Sequence, residues 1–123
     1  MGGFGNIAKI ESAIGRVLSK FGYDFTALNP WIFPTAEAQR LRLLEAGFLV
    51  QKSELRARPT ILPTNIAGWL DTFANAIFEH VDKHHRTDLK RHIMHDLESQ
   101  LKNDDGKWVA DYVRLNFVAV KPT

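Results

Sequence analysis

The chain of 123 residues contains no cysteine. Disulfide bonds, a thiolate nucleophile and cysteine-ligated zinc are therefore excluded, and packing alone must hold the core together. The sequence also lacks any apolar run near the roughly 18 residues that cross a bilayer, and residues 1–6 lack the basic and apolar regions of a signal peptide. These absences predict a cytoplasmic protein with no membrane partner.

The sequence also lacks a large excess of charge of either sign. The 16 Lys and Arg residues are offset by 14 Asp and Glu residues, which leaves a formal net charge of +2. The densest basic stretch covers residues 80–95, but Asp82 and Asp88 interrupt it and Asp96 follows it. This pattern is typical of a solvated helix face, so no nucleic-acid partner is expected.

The composition, 45% hydrophobic and 24% charged, is typical of a globular protein. Along the chain, apolar residues recur at the three- and four-residue spacings of amphipathic helices. Helices are expected over residues 7–21, 35–46, 65–81 and 87–102. Asn6 and Asn65 precede two of them as N-caps, because an Asn side chain accepts a hydrogen bond from the first helical turn. Gly47 suits the left-handed conformation that ends the second helix.

Two segments are typical of β-strands, residues 48–56 and residues 108–120. Residues 58–64 contain two prolines and are expected to form an ordered loop, whereas residues 23–33 are expected to be irregular and aromatic. Two strands make a poor sheet for an independent domain, since a two-stranded sheet is marginal alone. Either the helices bury most of the surface of this sheet, or the sheet pairs with strands that the chain does not contain.

Six short motifs occur in one order along the chain. They are Gly2-Gly3-Phe4-Gly5-Asn6-Ile7, Asn29-Pro30-Trp31-Ile32-Phe33-Pro34, Leu44-Glu45-Ala46-Gly47-Phe48, Arg58-Pro59-Thr60, Gly68-Trp69-Leu70 and Asp111-Tyr112-Val113-Arg114-Leu115. In this order they resemble the C-terminal half of a class I S-adenosylmethionine-dependent methyltransferase. The subgroup that they are most similar to contains the trans-aconitate and malonyl-carrier-protein methyltransferases.

The resemblance implies an α/β fold, the C-terminal part of a Rossmann-like methyltransferase fold with about four helices packed on two to three strands. Residues 1–123 would form a single partial domain, with residues 65–102 as a helical lid. The cofactor-binding half, including the glycine-rich loop that follows the first strand, would lie upstream and be missing. The strand at 108–120 would be antiparallel and inserted beside a strand that ends just before Gly2, which leaves an exposed sheet edge.

The resemblance also implies a reaction, the transfer of a methyl group from S-adenosylmethionine to a small-molecule acceptor such as a carboxylate. No cofactor is expected to bind this truncated fragment, and the fragment is expected to be inactive alone. The alternative is a non-enzymatic half-domain that pairs through the exposed edge with itself as a homo-oligomer, or with a complementary N-terminal half.

Eight residues are candidates for a substrate pocket, although each also has a structural interpretation. They are Gly3, Phe4, Asn6, Trp31, Phe33, Arg58, Trp69 and Phe73. The glycines of the first motif can instead permit close backbone packing, and the aromatic residues can instead be core, since apolar side chains line both pockets and cores. Arg58 can pair with a substrate carboxylate or merely anchor its loop. No residue is assigned a catalytic role.

The five histidines do not predict a metal site. His80 and His84 are four residues apart, and His92 and His95 are three apart, which would place each pair on one face of a helix. However, the first pair spans the expected end of a helix, and no His-Glu-x-x-His motif is present.

Overall fold

The computed structural model describes residues 1–122, which separate into two units. The first, here called the sheet unit, consists of residues 1–7, 32–59 and 111–122. The second, here called the helical unit, consists of residues 8–31 and 60–110. Within residues 1–122, no helix is both long enough and apolar enough to cross a membrane.

The described part of the chain forms six helices and four strands. In chain order they are α1 (Ala8–Lys20), α2 (Phe25–Leu28), α3 (Ala36–Glu45), β1 (Leu49–Ala57), β2 (Thr60–Ile61), α4 (Ile66–Phe73), α5 (Asn75–Phe78), α6 (Lys83–Leu101), β3 (Val109–Ala110) and β4 (Val113–Val120). The result is a mixed α/β structure with two small antiparallel sheets. The bounds of α1, α3 and β1 lie within one residue of the predicted ones.

The single strand predicted over residues 108–120 is wrong, because the chain leaves one sheet and enters another within it. β3 pairs with β2, whereas β4 pairs with β1. Between them, the carbonyl of Asp111 accepts a hydrogen bond from the Ile7 N–H at 3.0 Å, and the carbonyl of Tyr112 accepts one from the Arg58 N–H at 2.7 Å. These bonds hold the two residues outside both ladders.

Other predicted bounds differ for local reasons. The fourth helix begins at Lys83 rather than near residue 87, because the side chain of Asp82 accepts a hydrogen bond from the His84 N–H at 2.9 Å and caps it. The third predicted helix is divided at Ala74 into α4 and α5. The segment 23–33, predicted as irregular, contains the single turn α2, and the ordered loop predicted over residues 58–64 contains the short strand β2.

The core of the helical unit consists of the apolar stripes that the spacing predicts. α6 packs against α1 and against α4. The buried members of these stripes are Ile10, Ile14, Val17 and Leu18 of α1, Ile66, Trp69 and Leu70 of α4, and Leu89, Ile93, Leu97 and Leu101 of α6. Asn65 caps α4 as predicted, with its side-chain oxygen 3.1 Å from the Gly68 nitrogen.

The sheet unit has a smaller apolar interior. β1 and β4 form an antiparallel pair with a bulge between Val50 and Lys52, and α3 packs against β1. At the end of α3, Gly47 adopts a φ of 92°, in the left-handed region that the cap requires. Leu115 is the fully buried side chain of β4.

Much of the apolar surface of the sheet unit is exposed to solvent. Leu41 and Leu44, whose spacing helped to predict α3, are both exposed. The other exposed large apolar side chains of this helix, its following turn and the strand pair are Phe48, Leu49, Leu55, Phe117, Val118 and Val120. Because neighbouring residues of a strand face opposite sides, Phe117 and Val118 expose apolar surface on both faces of β4.

One face of β1 is polar and charged. Lys52, Glu54 and Arg56 alternate along the strand and therefore share this face. The Glu54 carboxylate lies 3.1 Å from Lys52 Nζ and 2.7 Å from Arg56 Nε. Arg56 is paired in register with Arg114 of β4, so cations outnumber carboxylates here.

This charged face predicts a pH dependence. Hydrogen bonds from Lys52 and then Arg56 hold the pKa of Glu54 below its ordinary value. Because folding lowers this pKa, ionised Glu54 stabilises the fold above the pKa of the unfolded chain, roughly 4.3, and that contribution is lost as the pH falls through the folded pKa. NMR titration of the Glu54 carboxyl carbon should give a midpoint below that of an unfolded peptide.

Lys52→Met and Arg56→Met should each raise the Glu54 midpoint, whereas Lys20→Met, on α1, should leave it in place. An equal midpoint in all three variants would contradict the assigned cause.

Candidate functional site

The eight residues predicted to line a substrate pocket lie in two groups. The sheet unit holds Gly3, Phe4, Asn6, Phe33 and Arg58, and the helical unit holds Trp31, Trp69 and Phe73. Each group brings together residues that are far apart in sequence.

In the sheet unit, the first three residues pair with the second edge of β4. Gly2 forms an antiparallel bridge with Arg114. On either side of it, the Gly3 N–H donates to the Val113 carbonyl at 3.0 Å and the Leu115 N–H donates to the Met1 carbonyl at 2.7 Å. β4 is therefore flanked by β1 and by this segment, an arrangement compatible with the predicted insertion of an antiparallel strand.

The two glycines of this segment are required by close packing. A Cβ on Gly2 would lie 2.9 Å from both the Asn6 side chain and the Phe33 ring. A Cβ on Gly3 would lie 2.3 Å from the Leu55 side chain and 2.9 Å from Cβ of Leu115. Gly3 thus has a packing role, and it has no side chain to offer a ligand.

Asn6 is held by β4 and does not cap α1. Its side-chain oxygen accepts a hydrogen bond from the Val113 N–H at 2.7 Å, and α1 begins two residues later at Ala8. The N-cap predicted at Asn6 is therefore wrong, because a tertiary bond replaces the local one. The next residue, Ile7, has a φ of 50°, a strained conformation for a β-branched residue that its burial and its bond to Asp111 maintain.

Phe4 is the residue of the turn whose side chain reaches solvent. Its backbone N–H donates to the Pro34 carbonyl at 2.9 Å, which fixes the turn beside Phe33, yet its side chain is 63% exposed. An aromatic ring held outward by an ordered backbone can contact a ligand at little conformational cost.

Tyr112 and Arg114 join this group, although the sequence did not single them out as site residues. The Arg58 N–H bonds to the Tyr112 carbonyl, and the Arg114 guanidinium carbon lies 4.9 Å from the centre of the Tyr112 ring. Their signal was the sixth motif, Asp111-Tyr112-Val113-Arg114-Leu115, which contains both residues. Arg58, Tyr112 and Arg114 are thus brought together at the end of the sheet where β1 ends and β4 begins.

The glycine-rich turn does not fit a cofactor such as S-adenosylmethionine. The N–H groups of Gly3, Phe4, Asn6 and Ile7 are already bonded to carbonyls of the sheet unit. A loop that cradles an anionic or nucleotide group presents free N–H groups to it.

In the helical unit, three predicted residues form an aromatic cluster. The Trp69 ring centre lies 5.9 Å from that of Trp31 and 5.3 Å from that of Phe73. Trp69 is only 5% exposed, Trp31 is half-buried and Phe73 is 56% exposed. Trp69 is therefore core, while Phe73 presents an aromatic face to solvent.

The histidines do not converge on one site, and two of them contact aromatic side chains. His80 lies outside α6 and His84 in its first turn, so this pair does not share a helix. His85 Nδ1 lies 3.1 Å from the hydroxyl of Tyr23, and the Phe21 ring contacts the rings of both His85 and His92. Among residues 1–122, no three His, Asp or Glu side chains are grouped so that they could hold a metal ion.

Comparison with known proteins gives one informative likeness. No protein-family model matches the chain. Over an alignment of 123 residues that covers 98% of the chain, it is 34% identical to a protein of Schizosaccharomyces pombe named as an uncharacterized methyltransferase. The chain spans 47% of the length of that protein, about half. This likeness supports a relationship to methyltransferases.

Proposed function

We propose that this chain is the acceptor-binding part of a methyltransferase, which in the complete enzyme transfers a methyl group from S-adenosylmethionine to a small-molecule acceptor. The observation that carries the proposal is the 34% identity to the S. pombe protein along nearly the whole chain. The chain spans about half of that protein, so the cofactor is proposed to bind to a part that corresponds to the other half.

The acceptor is proposed to be a small carboxylic acid. Arginine recognises carboxylates through paired N–H donors. In the sheet unit the Arg114 guanidinium lies over the Tyr112 ring, and Arg58 is joined to Tyr112 by a backbone hydrogen bond. Phe4 and Phe33 are proposed to supply apolar contacts to the acceptor: the Phe4 side chain is 63% exposed, and the Phe33 ring lies against Gly2, which pairs with Arg114. Methyl transfer depends chiefly on alignment of the acceptor, so these residues act by binding and orienting it, and no covalent nucleophile is needed.

The structure also favours a second candidate function, a half-domain that binds another chain. Backbone pairing on the second edge of β4 involves Val113 and Leu115 within the described residues, and the strand continues to Val120. An unpaired edge next to the exposed Phe117 and Val118 side chains is a template for a further strand. The proposed partner is a complementary N-terminal half, and a second copy of the chain is the competing one.

One reconstitution experiment separates these functions. The chain is mixed with the portion of the S. pombe protein that it does not match, in the presence of S-adenosylmethionine and a panel of small carboxylic acids. Size-exclusion chromatography with light scattering reports association, and mass spectrometry reports methylated product. Association with product supports the methyltransferase; association without product from any acceptor supports the half-domain alone. If the chain forms a homodimer and does not bind the added portion, the proposed partner is wrong.

A pair of variants tests the acceptor site within that mixture. Phe4→Ala should reduce the rate of methyl transfer roughly tenfold, the effect of losing one apolar substrate contact, while association is unchanged. Ile32→Ala is the matched control, because Ile32 is an apolar residue of the same unit with an 81% exposed side chain. Equal rates for both variants would remove Phe4 from the acceptor site.

A further inference from the structure

A concave site lies entirely within the helical unit and includes none of the proposed acceptor contacts. It is a cavity of about 640 Å³, within the range of roughly 300–1,000 Å³ typical of small-molecule sites. One wall is the segment from Ile61 to Asn65, and the other consists of Lys102 and residues 106–108. The aromatic cluster at Trp69 does not line it.

Both walls are held in place by backbone bonds. The Leu62 N–H donates to the Trp108 carbonyl at 2.8 Å, and Lys102 bridges to Trp108 across the base of the loop. Within the loop, the side-chain oxygen of Asn103 accepts from the N–H groups of Asp105 and Lys107 at 3.1 and 2.9 Å. The cavity is therefore largely pre-formed, which lowers the entropic cost of binding.

The cavity combines cationic and apolar surface. Lys102 and Lys107 both line it, and no carboxylate does. Lys107 forms no ion pair within residues 1–122, whereas Lys102 Nζ lies 3.6 Å from Glu98 and 6.0 Å from the Trp108 ring centre. Ile61 lines the opposite wall with 56% of its surface exposed, and Leu62 and Pro63 extend that apolar surface.

An adjoining cavity of about 320 Å³ extends this chemistry. It shares Asn65, Lys102 and Trp108 with the first and adds Arg91 and His95 from α6. Glu98 is the carboxylate that lines it, and it is already opposite Lys102. Lys102 thus lies at the boundary of the two cavities, with Lys107 lining the first and Arg91 lining the second.

We propose that this cleft binds an organic anion, a phosphate or carboxylate group carried on a flat apolar body. The anionic group would lie at Lys102 and Lys107, and the apolar body would pack against Ile61, Leu62 and Pro63. Lysine ammonium groups bind such anions as point charges, and charge-assisted bonds are stronger than neutral ones. The proposal is independent of the methyltransferase function, since it uses none of the same residues.

The test is an NMR titration of the full chain labelled with nitrogen-15. Phenyl phosphate and benzoate are the two anionic probes, benzyl alcohol is the neutral probe and inorganic phosphate lacks the apolar body. Phenyl phosphate or benzoate should cause saturable shifts at the Trp108 indole N–H and the Gly106 and Lys107 amides. The stronger of the two identifies the preferred anionic group.

Variants assign the effect to the cleft. Lys107→Gln should weaken binding roughly tenfold and Lys107→Arg should largely retain it, because the charge is kept. Lys20→Gln, a lysine on α1, is the matched control and should bind as the unaltered chain does. Since Lys107 makes no side-chain pair in the described structure, its replacement should leave the fold intact, which the unchanged remainder of the spectrum verifies.

Four outcomes would overturn the proposal. They are equal affinity for benzyl alcohol, equal affinity for inorganic phosphate, saturable shifts that the Lys107→Gln variant leaves unchanged, and no saturable shift with either aromatic anion.

Discussion

Replacing Trp69 by alanine is expected to lower the free energy of unfolding by about 3–5 kcal/mol, the usual cost of removing a large aromatic side chain from a core. Trp69 is nearly fully buried on α4 and contacts the rings of Trp31 and Phe73. Its removal leaves a cavity beside both rings that the short helix α4 cannot close by local movement. Urea unfolding followed by circular dichroism measures the effect.

Phe73→Ala is the matched control for this substitution, because Phe73 belongs to the same aromatic cluster but is 56% exposed. Its cost should be about 1 kcal/mol or less, since most of its apolar surface is already in water. If Phe73→Ala were as destabilising as Trp69→Ala, the division of the cluster into a core residue and a solvent-facing one would be wrong. If Trp69→Ala cost less than about 1 kcal/mol, Trp69 would be a pocket wall and not core.

The helices of this chain were predictable because the apolar spacing and the capping residues that indicate each helix lie within or next to that helix. Four-residue steps such as Leu89, Ile93 and Leu97 in α6 require one buried face, and that face is buried. Caps are local too, and Asn65 and Gly47 act as their residue types predict. Asn6 is the exception, since its side-chain oxygen accepts a hydrogen bond from the N–H of Val113, over a hundred residues away, and no local pattern encodes such a partner.

The strands were less predictable because their bounds depend on partners that are distant in sequence. Alternation over residues 108–120 continues through Asp111 and Tyr112, and only the bonds from Ile7 and Arg58 separate β3 from β4. The short pair of β2 and β3 has too few residues to leave a periodic signal. α3 was predicted from apolar spacing, yet Leu41 and Leu44 are exposed, so spacing identified the helix and not the face that is buried.

The motifs led to Phe4, Phe33 and Arg58, which lie in the sheet unit and stay candidates for the acceptor site, with the Arg58 N–H bonded to Tyr112. They also led to Gly3 and Trp69, whose roles are packing. Residue type alone does not separate a ring in a core from a ring in a pocket, because both need apolar surroundings. The cleft at Lys107 gave no signal, since its walls meet through bonds between residues distant in sequence, the pairing of β2 with β3 and the bond from Leu62 to Trp108.

Gly3→Ala is expected to destabilise the chain by about 1–3 kcal/mol, the usual cost of overpacking. The new Cβ would lie 2.3 Å from a terminal methyl of Leu55 and 2.9 Å from Cβ of Leu115. The Leu55 methyl can rotate away, whereas Cβ of Leu115 is fixed by the backbone of β4. The strain must therefore move Gly3 itself and weaken its hydrogen bond to Val113.

The background variant Leu55→Ala separates these two contacts. Removing the flexible methyl should restore only part of the stability lost in Gly3→Ala, giving a coupling energy of roughly 0.5–1 kcal/mol in a double-mutant cycle. Amide exchange at Leu115, which donates to Met1, should accelerate in Gly3→Ala in both backgrounds, because the first segment loosens from β4. Full recovery of stability in the Leu55→Ala background would show that the side chain, and not the strand, imposes glycine at this position.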